Sequence, residues 1–369
     1  LAPIQTAESY PMGPSHLKSA RHEISESPTK KGKVVLDEFL EAELSQEPQV
    51  GFIIGVGANE VTGVLLPIAT SLTYSLSSEK VMVTGAVSSS SSAGAQMEMA
   101  VQMTQQSAHE ALTMVKNYLQ DMDPKVSAAR VLGEFLEKYT IHHQLLSASY
   151  SVGGPSAGYA LAMNTLSALM HIPVYHDFGI TGAPWTKGVK RGEVGGSVII
   201  GGQRKKTEKV LMYLRRMYMP LKNYLDLENE FLVNYWTQDK DILGVTHFGD
   251  LVPEVICLDP DYEKLLQELI TIRIQYKLDK HQGKLPDEAV KEEILRKKDI
   301  LRIRAEKEIK NRLIALRRYL RSPTRDPHLS LEEIFRHRES PLVRVSDPFK
   351  RLIKKVRDRK KGNRNHSMV

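Results

Sequence analysis

Hydrophobic and polar positions fall into blocks along the chain, and the period of each block predicts its element. Val50-Gly-Phe-Ile-Ile-Gly, Val64-Leu-Leu-Pro-Ile-Ala and Lys80-Val-Met-Val-Thr-Gly are short apolar runs bounded by turn residues. They predict three successive β-strands. From about Gln96 the period lengthens: Ala100, Met103, Ser107, Ala111, Met114 and Tyr118 share one face at helical spacing, which predicts a helix with an inner, core-facing side. A second helix is expected around Ala128 to Tyr139, then a strand over Ile141-His-His-Gln-Leu-Leu146. A strand-like run ends in Gly153-Gly154-Pro155, Ser156 follows, and an apolar helix runs to about Met170. Short strands near Val174 and over Gly179 to Gly182, a glycine-rich hairpin ending at Val198-Ile-Ile-Gly-Gly202, and a helix starting between Lys205 and Val210 complete the pattern. This alternation predicts an α/β domain with a mixed (α+β) sheet over residues 47–269.

The flanks read differently. Residues 1–46 are rich in Pro, Ser, Lys and Glu with little periodicity and predict an extended arm. Ser88 to Ser92 is a low-complexity loop. Residues 270–369 form a basic helical extension and tail. Within it Val290, Ile294, Leu301, Ala305, Ile309, Leu313, Leu316 and Leu320 mark a long amphipathic helix over 287–320, which needs a partner surface and is a candidate protein-docking element. Ser322-Pro323 ends it.

Composition sharpens this picture in three places. A hydrophobic content of 41% in 369 residues supports a real core. The formal charge of +7 gathers largely after residue 270 and points to an anionic partner such as RNA, DNA or an anionic membrane surface; a solvated basic helix is the alternative. In the last segment Lys350, Arg351, Lys354, Lys355, Arg357, Arg359, Lys360 and Lys361 are the candidate phosphate contacts. Cys257 is the single cysteine, which excludes a disulfide framework and a cysteine-based metal site and favours a reducing compartment. None of His109, His142, His143, His176 and His247 stands at a metal-ligand spacing, so neither metal nor cofactor is expected. No apolar run is long enough to span a bilayer. The chain begins at Leu1 rather than Met, which fits removal of an organelle-targeting peptide and a mitochondrial matrix location.

The candidate chemistry lies in the turn before the apolar helix. Ser156 stands at a helix N-terminus, where free N–H groups and the helix dipole favour developing negative charge. A nucleophile with a built-in oxyanion site needs that arrangement, with Gly154, Pro155 and Ala157 shaping the turn. A serine that only caps its helix is the competing reading.

Landmarks in a fixed order give the turn its meaning. Gly55-Val-Gly-Ala-Asn-Glu-Val-Thr-Gly63 with Leu65-Leu66, Thr84-Gly85, Ser107-Ala108-x-x-Ala-Leu112, Gly154-Pro-Ser-Ala-Gly158, Asp177-Phe-Gly-Ile-Thr-Gly182 and Gly201-Gly202 resemble the proteolytic domain of Lon-type peptidases. The resemblance covers about residues 49–269. It implies that fold, peptide-bond hydrolysis by a serine–lysine dyad, and self-association. Ser156 matches the nucleophile, Thr181 the threonine that orients the dyad, and His142 the first histidine of the preceding strand.

Other positions depart from the family pattern. The position two residues after Gly201-Gly202, where the family carries its lysine, is Arg204, and arginine stays protonated and cannot be a general base. Lys205 and Lys206 are adjacent candidates, each rotated by about 100° per residue around the helix. A second alignment puts Thr207 at the base position. Gly153, Gln144, Ala183 and Ala69 replace family polar residues, and no Gly-x-x-x-x-Gly-Lys-Ser/Thr motif occurs. Two expectations follow. One is a Lon-like domain of weakened or lost peptidase activity that serves as a structural or assembly component; the other is an active Lon-type serine endopeptidase using Ser156 with Lys205 or Lys206.

Overall fold

A computed structural model of the chain describes residues 47–58, 61–75, 78–85, 94–122, 128–146, 155–185, 196–198, 200–285, 287–322 and 329–336. The arm over 1–46, the polyserine stretch, Gly154 and the basic residues Lys350 to Lys361 lie outside them.

The described residues build around a seven-stranded mixed sheet in the order β3-β4-β2-β1-β5-β8-β9. Strands β1 (Phe52–Ala58) and β2 (Gly63–Tyr74) form an antiparallel hairpin with Phe52 opposite Ala69. On one side β4 (Tyr139–Leu145) pairs antiparallel with β2, and β3 (Val81–Thr84) pairs parallel with β4. On the other side β5 (Phe178–Ile180), β8 (Arg216–Pro220) and β9 (Asp241–Val245) extend the sheet in parallel. A separate two-stranded ribbon, β6 (Ala183–Trp185) with β7 (Gly196–Val198), follows β5 directly. This is the mixed α/β fold that the alternation predicts. Val174, expected in a short strand, makes only isolated bridges to Gln49 and Ile256.

Helices cover both faces of the sheet. On one side lie α1 (Gly94–Met122), α2 (Ala128–Leu136) and α3 (Gly158–Met170), with α3 against β1 and β2. All thirteen residues of α3 are buried. On the other side α4 (Gln203–Tyr213) packs on β1, β2 and β8. Side chains alternate faces along a strand. Thus Gly55 approaches Ala160 of α3, while its neighbour Val56 lies near Gly179, which itself abuts Val210 of α4. Sheet and helices share one core that includes Ile53, Val56, Leu65, Leu161, Met163, Phe178 and Val210.

Short helices α5 (Leu221–Leu225), α6 (Asn229–Trp236) and α7 (Phe248–Val255) lead to the C-terminal part. Helix α8 (Pro260–His281) starts on Asp259, whose carboxylate accepts from Tyr262 N, and runs unbroken through Leu269, the expected end of the domain. Helix α9 (Glu288–Arg321) folds back along α8, α7 and α2. Its stripe Leu301, Ala305, Ile309, Leu313 and Leu316 is buried against this same chain. The amphipathic period is present, but the surface that satisfies it is internal, so this stripe is not free for a protein partner. A last turn, α10 (Leu331–Arg336), carries a capping box in which Glu333 accepts from Ser330 N and Glu333 N donates to Ser330 Oγ.

Buried charges fasten this C-terminal part to the sheet. Arg273 of α8 binds Asp241 of β9 and Glu254 of α7, and Lys277 donates to Asp241 at 2.9 Å. Burial alone would raise the Asp241 carboxyl, but Arg273 and Lys277 hold it well below the usual carboxylate range. Arg216 of β8 joins the set, bonded to Asp177, to Tyr218 Oη and to the Glu254 carbonyl.

Candidate active site

Two helix starts from opposite faces of the sheet meet at the C-terminal end of β5. The first is the turn Pro155–Ala157, a single 3₁₀ turn that leads directly into α3. Ser156 is partly exposed and Ala157 is buried. Ala157 stands at the N-cap and supplies no side-chain cap bond, so the first amides of α3 are not claimed by a capping side chain. The capping role considered for Ser156 therefore does not describe this helix.

The strand end is laced to that turn. Gly182 N donates to the Ser156 carbonyl at 2.8 Å, Tyr159 N donates to the Gly182 carbonyl at 3.0 Å, and Thr181 N donates to the Tyr218 carbonyl at 3.0 Å. Gly182 has φ of +151°, and a Cβ there would lie 2.4 Å from the buried Tyr159 ring. Only glycine fits. Thr181, fully buried, also turns its hydroxyl to the Ser156 carbonyl at 3.4 Å.

The second helix start is α4. Gly202 adopts a left-handed conformation (φ +70°), and the helix begins at Gln203. That phase turns Lys206, Thr207, Val210 and Leu211 inward. Lys206 Nζ donates to Thr181 Oγ1 at 3.3 Å and the residue is only 3% exposed. Burial lowers its amine from 10.5 to about 8. The chain Lys206–Thr181–Ser156 thus joins an amine of reduced basicity to the serine turn.

The neighbouring residues point elsewhere. Arg204 faces out, pairs with Glu228 at 2.8 Å and lies over the Phe231 ring at 5.0 Å. Lys205 is half-buried, and its carbonyl presses on β2 at Gly63, where a Cβ would come within 2.3 Å. Thr207 Oγ1 donates back to the Gln203 carbonyl. His142 bonds Thr84 Oγ1 at 2.7 Å through Nε2, and no hydrogen bond among the described residues joins it to Ser156, Thr181 or Lys206. Its neighbour His143 faces the opposite way and is buried, between Thr70 and Thr165, with burial pushing its imidazole down to about 3. Gln144 is exposed, while Ala183 is buried and Ala69 partly so.

The Lon protease (S16) C-terminal proteolytic domain family matches residues 31–254, well over half of the chain. The chain belongs to this family. A Lon protease of Dictyoglomus thermophilum is 37% identical over 131 residues, 34% of this chain and 14% of that protein. A Lon protease of Finegoldia magna is 25% identical over 198 residues, 53% of this chain and 21% of that protein. A Lon protease homolog, mitochondrial 1, of Dictyostelium discoideum is 27% identical over 163 residues, 44% of this chain and 15% of that protein. The chain therefore spans only about a seventh to a fifth of the length of these relatives.

Arg204, at the sequence position where the resemblance expects the lysine, faces out and pairs with Glu228. The cation facing Thr181 comes two residues later. A local signal for this exists in the sequence. Residues at i and i+4 share a helix face, and Lys206 is followed at that spacing by Val210, whereas Arg204 is followed by Glu208 and Lys205 by Lys209. Among the described residues no cluster of His, Cys, Asp and Glu could hold a metal ion, and no helix is long and apolar enough to cross a membrane.

Proposed function

We propose that this Lon-type proteolytic domain is a serine–lysine peptidase of weakened activity, with Ser156 as nucleophile and Lys206 as general base. The observation that carries the reading is the buried Lys206 amine against Thr181 Oγ1, its basicity lowered by desolvation. A base of this kind is neutral often enough near neutral pH to take the serine proton, and the same group as an ammonium can return a proton to the leaving amine. Thr181 acts by orienting the amine. The dipole at the start of α3, where no side chain caps the helix, favours the developing oxyanion. Weakened rather than full activity is proposed because Gln144, Ala183 and Ala69 stand where the family carries polar residues. The test is cleavage of an unfolded protein such as casein by the full chain: slow turnover lost in Ser156→Ala and in Lys206→Met supports the reading, and turnover that survives either change refutes it.

A second reading is favoured by the run Lys350 to Lys361 and the substituted polar positions: a structural or assembly component that binds RNA or a ribonucleoprotein, with mitochondrial matrix location and homo-oligomer formation as further parts of the proposal. The mitochondrial description of the Dictyostelium relative supports the location. RNA affinity that falls steeply with salt and is lost on removing residues 349–369 would support this role. Unchanged affinity after that removal would sink it.

A further inference from the structure

We propose that Arg204 is a positioning residue: its clasp on Glu228 and Phe231 sets the rotation of α4 about its axis, and that rotation delivers Lys206 to Thr181. The inference deepens the serine–lysine reading and rests on it.

Three consecutive basic residues, Arg204, Lys205 and Lys206, open this helix, so helix formation alone does not choose which cation turns inward. No side chain caps the start of α4, and Gly202 leaves the entry of the chain permissive. The clasp makes the choice. Arg204 and Lys206 are two residues apart, about 200° around the helix, so an anchor on one holds the other on the opposite side. The guanidinium grips two points on α6 at once: Glu228 at its N-cap, 2.8 Å away, and the buried Phe231 ring beneath it. An ion pair alone would leave the helix free to swivel, but a planar fork held against a ring fixes direction as well. On the inner side Gly63 lets α4 sit against β2, with the Lys205 carbonyl and Lys209 Cβ at the space a side chain would fill.

The surroundings allow a clean readout. Strands β1 and β5 and the buried part of β2 carry no ionisable side chain, and Arg216 and Tyr218 of β8 are engaged with Asp177 and Glu254. Among the described residues, α4 itself carries Arg204, Lys205, Glu208 and Lys209, and the start of α6 carries Glu228 and Glu230.

The test uses the full chain and does not need peptidase activity. The titration of Lys206 is followed by trace acetylation with acetic anhydride and mass spectrometry, in the parent protein and in Glu228→Gln and Arg204→Met. The rate of Ser156 labelling by a fluorophosphonate is recorded beside it. Loss of the Glu228 charge, acting through its field alone, would lower the amine's pKa; loss of the clasp lets the amine reach solvent and raises it. Glu228→Gln separates the two by sign and, at a surface pair, leaves the fold intact. We expect both variants to raise the Lys206 titration, cutting its neutral fraction at neutral pH by about three- to tenfold, with Ser156 labelling falling in proportion. A Lys206 titration that is lower or unchanged in Glu228→Gln overturns the proposal. If Lys206 responds as expected but Ser156 labels in no protein, the positioning role stands and the serine–lysine reading falls.

Discussion

The buried Lys206 ammonium donates to Thr181 Oγ1 at 3.3 Å, burial lowers its basicity, and no ion pair among the described residues joins it to a carboxylate. A charged amine without a counter-ion is an unfavourable thing to bury. Its place beside the Ser156 turn is the observation on which the proposed serine–lysine reading rests.

That cost predicts how Lys206→Met behaves. The folded-state value of about 8 lies below the ordinary 10.5, so below about pH 8 the native protein keeps a buried charge that the unfolded chain solvates. Between the two values the unfolded chain binds the proton and the native one does not, so parental stability rises with pH across that window. The shift corresponds to about 3 kcal/mol, and losing the bond to Thr181 costs about 1 kcal/mol. Lys206→Met is therefore expected to be more stable than the parent by about 2 kcal/mol at neutral pH and to lack the alkaline rise. Urea denaturation at neutral and alkaline pH measures both; a destabilised variant would show that the lysine is a structural contact.

Gly182→Ala tests the lacing between strand end and serine turn. The added methyl would meet the Tyr159 ring at 2.4 Å, and the backbone is in a region that favours glycine. Overpacking and strain together are expected to cost about 2–4 kcal/mol. Thermal melting reads the loss, and labelling of Ser156 at a temperature well below the melt should fall more than labelling of a surface nucleophile.

The C-terminal helices belong to the domain's own core. Leu313→Ala is expected to destabilise by about 2–5 kcal/mol, and Arg273→Met, which strands the Glu254 carboxylate and leaves Asp241 with Lys277, by about 3–5 kcal/mol. Both losses should appear in one cooperative transition with the sheet. A separate low-temperature transition would make α8 and α9 an independent appendage.

The extent to which the sequence revealed this arrangement follows the range of the forces involved. Ser156 and Thr181 were legible because glycine-bounded turns are local signals, and the ordered landmarks made them specific. The sheet was legible as strands, but not in its order, which depends on pairings far apart in sequence. Lys206 was not separated from Lys205 because the phase of α4 depends on contacts made elsewhere in the fold, and its one local signal, Val210 four residues on, is a single-residue difference. The stripe on α9 was visible as a period, yet its partners on α7, α8 and α2 were not. The buried Asp241–Arg273–Glu254 cluster left no local trace, since charged residues usually read as surface.

The central claim, that Lys206 activates Ser156, is tested most directly by the pH dependence of Ser156 labelling with a fluorophosphonate in the parent and in Lys206→Met. With the amine at about 8, the parental rate should rise about fivefold from pH 7 to pH 8 and level off above, following the neutral amine. In Lys206→Met it should be at least about a hundredfold slower and without that step. Equal rates and profiles in the two proteins, or no modification at Ser156 in the parent, would contradict the account.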